Sequence, residues 1–351
     1  MLGSNNFGIP VDSYTSMDSK RYTFSCVDAH TCGNPVRVVV EGAPKLIGGN
    51  MSSRRQHFIS RFDWVRTSLM YEPRGHDLMS GAVLYPPIRD DCDLGLIYIE
   101  TSGCLPMCGH GTIGTVTVVI ENGLVNPMRD GQLRLDTPAG LVVAKYKLQK
   151  DYVESVQIEN VPSYLHETDV MLDCPGLGRF KCDIAYGGNF YAIIEPQKGC
   201  RALNSLNTTE IKKFSPIVRS QVNDLLDVRH PLDASIHGVS HVMWTGDPSQ
   251  SIADSRNAVF YGTAAIDRSP CGTGTAARMA QLSARGDLRN GGNFVHESII
   301  GSLFEGKMLG ETTVGRFPAI LSAVSGWARV TGQNKIFVDD RDPYHHGFQV
   351  T

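Results

Sequence analysis

The sequence predicts a mixed, mainly antiparallel α+β protein built as two comparable halves. Three observations predict it. Short runs rich in β-branched and aromatic residues alternate with Gly- and Pro-bearing turns along most of the chain. Helical periodicity appears in only a few stretches between them. One five-residue phrase, Cys-Gly-x-Gly-Thr, occurs twice, at Cys108 and at Cys271. Each copy follows a strand-like run and a short turn, and each leads into a segment that ends at a glycine, Gly123 or Gly286.

In chain order, residues 1–20 read as a loose leader. "RYTFSCVDAH" (21–30) and "PVRVVVEG" (35–42) read as strands. Residues 53–70 read as a helix, because Phe58, Ile59, Phe62, Val65 and Leu69 recur at helical spacing. "GAVLYPP" and "LGLIYIETSG" read as strands. "TIGTVTVVIEN" is rich in Val and Thr and suits a strand as well as a helix. Its sister "TAARMAQLSAR" is a strong helix former, so both are expected to be buried helices, with Gly123 and Gly286 as their C-terminal stops. "YVESVQIENVP", "KCDIAYGGNFYAIIEP", "HVMWTG" and "NAVFYGTAAID" read as strands, and 209–226 as a helix. The stretch 303–340 is strand-rich. The halves are expected at 21–155, carrying Cys108, and 156–351, carrying Cys271, with the C-terminal tail free to pack back on the first half.

Composition narrows the function classes. Hydrophobic residues make up 41% and charged residues 20%, enough to build sizeable cores. The formal net charge is −3 and no basic block stands out, which argues against nucleic acid as a partner. No signal peptide pattern opens the chain and no apolar run approaches membrane-spanning length, so no membrane is expected and a cytoplasmic location is. The nine cysteines are an odd number spread over a long chain, which argues against a disulfide framework. Cys104, Cys108 and His110 lack the second half of a zinc site, so no metal is expected. No heptad or interface is readable, and monomer against homodimer stays open.

The repeated phrase carries chemistry. If each copy is a strand–loop–helix junction, Cys108 and Cys271 sit at helix N-termini. Unpaired N–H groups there carry partial positive charge, favouring a thiolate and an anionic ligand such as a carboxylate. Glycines at 109, 111, 272 and 274 let backbone approach a ligand closely. Thr112 and Thr275 are placed to help cap the helices. Two such junctions facing each other suit inversion at a carbon beside a carboxylate. One thiolate removes the α-proton, the opposite thiol donates another, and the helix N-termini stabilise the enolate. No cofactor is required. The alternative from another class is a binding or redox protein whose thiols form a disulfide across the cleft.

"MCGHGTIG" and "DRSPCGTGTAARMA" together resemble the proline racemase family. The resemblance runs from about 21 to 350 and includes "VDAHTCGNPVRVV", "EPRGHDLMSGAVLYPP", "AYGGNFYAI" and "ESIIGSLFEGKM". It implies two pseudo-symmetric domains of the diaminopimelate epimerase-like fold, each a largely antiparallel sheet around a central helix, with the site between them. It implies catalysis by Cys108 and Cys271 without a cofactor. It also implies that backbone amides at Gly109, His110, Gly272 and Thr273 hold the substrate carboxylate, with Asp267 near the ring nitrogen. The family includes proline racemases, 4-hydroxyproline epimerases and trans-3-hydroxy-L-proline dehydratases. A cysteine at 271, rather than the dehydratases' threonine, argues for racemisation or epimerisation. Ser80 and Gly81 leave a roomier or more polar pocket than the bulky groups of proline racemases. His241 stands where it could bond a ring hydroxyl, or could be a satisfied core histidine. The expected reaction is epimerisation of 4-hydroxyproline, with proline racemisation as the alternative. His30 and His76 are expected to brace loops.

Overall fold

The structure of the chain, a computed structural model, describes residues 20–201 and 203–350. The leader expected at 1–20 lies outside the described residues, apart from Lys20. The first run of elements is β1 (Arg21–Thr31), β2 (Asn34–Glu41), α1 (Met51–Met70), β3 (Ser80–Tyr85), β4 (Leu94–Glu100), β5 (Gly103–Leu105), α2 (Gly109–Glu121), β6 (Gln132–Thr137), β7 (Gly140–Gln149), β8 (Tyr152–Glu159) and β9 (Ser163–Cys174). The second run is β10 (Gly178–Tyr186), β11 (Phe190–Ile194), α3 (Thr208–Leu225), β12 (His241–Gly246), β13 (Ser255–Tyr261), β14 (Ala265–Ile266), α4 (Gly272–Arg285), β15 (Asn293–Glu297), β16 (Leu303–Val314), β17 (Phe317–Gly326) and β18 (Ala328–Asp339).

The two runs repeat one pairing scheme. β2 runs parallel to β3 across α1, β3 is antiparallel to β4, and β4 pairs β5 antiparallel and β6 parallel. Likewise β11 runs parallel to β12 across α3, β12 is antiparallel to β13, and β13 pairs β14 antiparallel and β15 parallel. The last strand of each run crosses over: β18 pairs with β1, while β9 pairs with β10 and β17. The remaining pairings are antiparallel, hairpins of consecutive strands and β8 with β17 across the two runs, so the architecture is α+β with mostly antiparallel strands around two central helices.

Those helices are α2 and α4. α2 packs on β8, β18, β1 and β2, and α4 on β9, β17, β10 and β16. α2 is buried from Gly109 to Val119 and α4 from Gly272 to Gln281. A helix buried on all sides shows no amphipathic period, which is why the Val- and Thr-rich α2 reads ambiguously from sequence. Its threonines fit a helix by donating to backbone carbonyls one turn back, Thr112 Oγ1 to Cys108 O at 2.7 Å and Thr117 Oγ1 to Ile113 O at 3.0 Å. Gly286 closes α4 in the left-handed region, φ 85, and Gly123 follows α2 at φ 60.

α1 lies outside this frame and buries Phe58, Val65 and Leu69 completely. Each such side chain contributes about 1.5–3 kcal/mol of apolar burial. Two residues of its expected face behave otherwise: Ile59 is exposed, and Phe62 sits at a kink with φ −133. The C-terminal tail lies against this helix, with Ser68 Oγ donating to His345 O and Phe348 N–H to Glu72 O. No helix among the described residues is long and apolar enough to cross a membrane.

Candidate active site

The two repeated phrases meet head to head. A Cβ placed on Gly109 would lie 2.6 Å from Gly272 Cα, and one on Gly272 would lie 2.8 Å from Gly109 Cα. The N-termini of α2 and α4 therefore touch through glycine backbone, in a space with no room for a side chain. Cys108 and Cys271 are the N-cap residues of these helices, and neither carries a side-chain cap. By contrast, α1 and α3 are closed by full capping boxes at Asn50 and Asn207. Thr112 and Thr275 do not cap either; both hydroxyls donate to carbonyls, that of Cys108 and that of Pro270. The first-turn N–H groups of both central helices are thus left without a side-chain oxygen, at one point and from two directions, which is the pattern of an anion site.

Cys108 is buried at 4% exposure. Its Sγ lies 3.5 Å from His110 Nδ1 and 4.0 Å from Ser80 Oγ. Cys271 is equally buried, with Sγ 3.3 Å from the Tyr191 hydroxyl. That hydroxyl also lies 2.6 Å from Thr273 Oγ1. Asn189 ties the halves together, donating to Met107 O at 2.7 Å and to Thr273 Oγ1 at 3.3 Å. The two caps differ in backbone: Cys108 is extended, whereas Cys271 is held at φ 62, ψ 106. A non-glycine residue there stores strain of order 1–3 kcal/mol. Ser269 Oγ accepts from Cys271 N–H at 3.2 Å, and Cys271 O accepts from Thr275 N–H at 2.7 Å.

Electrostatics differ from the simple helix-terminus expectation of lowered thiol pKa. Burial pushes both thiols well above the usual cysteine range; the charge of Glu100 adds for Cys108 and that of Asp267 for Cys271. The Gly111 and Gly274 backbone N–H groups pull the other way without overcoming burial. The Cys108 charge also acts on Cys271, so the two sulfurs share one electrostatic environment.

Asp267, 3% exposed, accepts from Ser269 N–H and Oγ at 2.8 Å each, and its Oδ2 lies 3.7 Å from His110 Nδ1. Burial raises its pKa, opposed by His110 and Ser269. His110 contributes a side chain as well as backbone, with Nε2 3.0 Å from Asn34 Nδ2. His241 is buried, its ring 4.8 Å from that of Tyr191 and stacked on Tyr261 at 6.1 Å. Burial drives its pKa down to about 3, so the ring is neutral near pH 7. Gly109, His110, His241, Asp267, Gly272 and Thr273 thus gather around the two thiols. His30 and His76 brace turns, each accepting through Nδ1 from a nearby backbone N–H, that of Gly33 or Leu78. Three residues of this site escaped the sequence reading. Tyr191 and Asn34 had one available signal, their places within "AYGGNFYAI" and "VDAHTCGNPVRVV". Glu100 had none.

No group of three or more His, Cys, Asp or Glu among the described residues is arranged to hold a metal ion.

Two pseudo-symmetric halves with central helices meeting at cysteine caps define the epimerase-like α+β class. The same fold, and nothing beyond the fold, is shared with a phenazine biosynthesis protein of Bacillus anthracis, at TM-score 0.58 and 12% identity over 90% of this chain and 99% of that one. Within that class the chain belongs to the proline racemase family, whose profile matches residues 26–349. It is similar to the 4-hydroxyproline epimerase of Brucella ovis, 55% identical over 94% of this chain and 99% of the relative. It is also similar to the crystal structure of a hydroxyproline epimerase from Agrobacterium vitis with bound trans-4-hydroxy-L-proline. That match has a TM-score of 0.87 and 28% identity, and covers 95% of this chain and 96% of that one.

Proposed function

We propose that this chain is a 4-hydroxyproline 2-epimerase, interconverting trans-4-hydroxy-L-proline and cis-4-hydroxy-D-proline with Cys108 and Cys271 as paired acid and base. The observation that carries the reading is the head-to-head contact of two uncapped helix N-termini at Gly109 and Gly272, each entered through a buried cysteine. The Brucella relative's name and the hydroxyproline bound to the Agrobacterium vitis protein support the substrate.

The substrate carboxylate occupies the junction of α2 and α4, where N–H groups of both first turns converge. That places the α-carbon between the thiols. Asp267, its carboxyl oriented by Ser269, faces the ring ammonium. In the buried cavity both sulfurs rest as thiols. The bound ammonium adds the positive charge that favours one thiolate, which takes the α-proton while the opposite thiol delivers another. The enolate charge forms on the carboxylate, against dipoles already aimed at it, so no reorganisation is needed as the reaction proceeds. Tyr191 steadies the second thiol through the contact at 3.3 Å. Tyr191→Phe is expected to lower kcat roughly 10-fold, as the loss of one buried hydrogen bond does, with little change in melting temperature; steady-state kinetics and a thermal melt check both.

The reading is tested by chiral chromatography of purified protein with trans-4-hydroxy-L-proline, 3-hydroxyproline and proline. The expected result is cis-4-hydroxy-D-proline at the highest rate. Racemised proline with untouched hydroxyproline, or an unsaturated or keto product, overturns it.

A further inference from the structure

A second contact between the halves lies beside the thiols. Glu100 ends β4, and its Cα partner across the sheet is Ser80, so the two side chains share a face beside Cys108. His241 begins β12, in register with Tyr191, which touches Cys271. Glu100 and His241 reach toward each other from these two strands, Oε1 to Nε2 at 4.0 Å. The halves thus meet at Gly109 and Gly272 and again at Glu100 and His241.

Glu100 is a costly residue to bury. It is 2% exposed, and the partners of its carboxyl are the Ser102 hydroxyl and the distant His241 ring. The nearby cation, Arg66, is engaged elsewhere: it binds Asp63 with two bonds of 2.7 Å, and donates to the Glu100 and Thr101 carbonyls rather than to the carboxyl. A buried carboxylate with one hydroxyl donor and no cation on it is costly and is kept where a ligand or a proton compensates it. Burial accordingly raises its pKa to about 8, so the group is a neutral acid at neutral pH. Ser102 and Ser240, which bond Glu100 and His241 respectively, also line a groove of about 420 Å³ between the halves.

We propose that Glu100 is a specificity-determining residue that, together with His241, holds the ring hydroxyl of the substrate. This deepens the functional reading above and rests on it. A hydroxyl needs one acceptor and one donor. His241 Nδ1 lies 2.7 Å from Ser240 Oγ. With its proton on Nδ1, Nε2 accepts from the substrate hydroxyl, and the protonated Glu100 carboxyl donates to it. The 4.0 Å gap is too long for a direct hydrogen bond and is bridged by the hydroxyl oxygen. Proline lacks that oxygen and leaves both groups unmatched. The charged and titratable groups facing Glu100 are His241, Asp267, Arg66, Cys108 and Tyr261. Above about pH 8 the carboxyl ionises beside Asp267 and can no longer donate, so the preference for hydroxyproline over proline falls as pH rises through that value.

The test uses the full-length protein with Glu100→Met and Glu100→Gln, measuring kcat/KM for trans-4-hydroxy-L-proline and L-proline from pH 6 to 9.5. Glu100→Met is expected to lower the hydroxyproline value on the order of 100-fold while moving the proline value less than about 3-fold. Glu100→Gln, which keeps a neutral donor and the shape, is expected to retain most of the preference and to lose its decline above about pH 8. Equal losses on both substrates, an unchanged ratio in Glu100→Met, or a pH decline that survives in Glu100→Gln overturns the proposal. Should Glu100→Met not fold, the pH profile of Glu100→Gln decides alone. Wild-type protein that racemises proline and leaves hydroxyproline untouched overturns the functional reading instead. Wild-type protein active on hydroxyproline with unresponsive variants overturns this inference only.

Discussion

Cys108→Ser and Cys271→Ser are each expected to lower kcat/KM for epimerisation by roughly 10²–10⁴-fold, in both directions of the reaction. In the proposed mechanism both sulfurs are required in each turnover, one to take the proton and one to give it, so either loss stops the cycle from both ends. A hydroxyl in place of the thiol fits the cavity but is a far weaker acid. The buried environment that already raises the thiols would hold it neutral. Because the pair acts as a unit, the double variant is expected to be no slower than the worse single one. Both variants should still bind the substrate, since the helix N-termini and Asp267 are untouched. Isothermal titration alongside the kinetics separates lost chemistry from lost binding. A variant that keeps kcat/KM within a few-fold of wild type contradicts the paired-thiol account.

Gly109→Ala or Gly272→Ala is expected to cost about 100-fold in kcat, because the misplacement each forces is close to 1 Å. The added Cβ would meet backbone atoms of the opposite helix, 2.6 Å from Gly272 Cα in one case and 2.8 Å from Gly109 Cα in the other. Backbone cannot swing aside as a long side chain can, so the helices must part. Parting them spreads the N–H groups proposed to receive the carboxylate and widens the gap proposed for the α-carbon. Gly49→Ala is the control: its Cβ would meet nothing within 4 Å, and activity should be unchanged. Circular dichroism and melting temperature establish that the site variants remain folded.

Much of this was legible in the sequence because the chain states its plan twice. Two copies of Cys-Gly-x-Gly-Thr named both caps, the glycines between them and the helices that follow. The strength of α4 as a helix former settled the ambiguous α2. What stayed illegible has physical causes. β6, β7, β9 and β15 went unassigned. β9 carries a run of half-buried and exposed residues from Leu165 to Val170 that breaks the inside–outside alternation. The face of α1 was misjudged at Ile59 and Phe62 because a kink at Phe62 shifts the helical phase. The lowering of the thiol pKa expected from a helix N-terminus was reversed by burial, which no spacing reports. Glu100, in the unremarkable run "YIETSG", was invisible: its meaning comes from pairing with Ser80 and from meeting His241 across the interface. A line of text brings neither neighbour near it.

The central claim, one thiol on each face of one α-carbon, is tested most directly by a reaction run in deuterium oxide and stopped early. Trans-4-hydroxy-L-proline is incubated with wild-type enzyme, and the two epimers are separated and weighed by mass spectrometry. The account predicts that the cis-4-hydroxy-D-proline formed carries solvent deuterium at the α-carbon, while the unreacted substrate still carries protium. Product that retains the substrate's own α-hydrogen, or deuterium entering both epimers equally from the first turnovers, would mean a single base serving both faces and would contradict it.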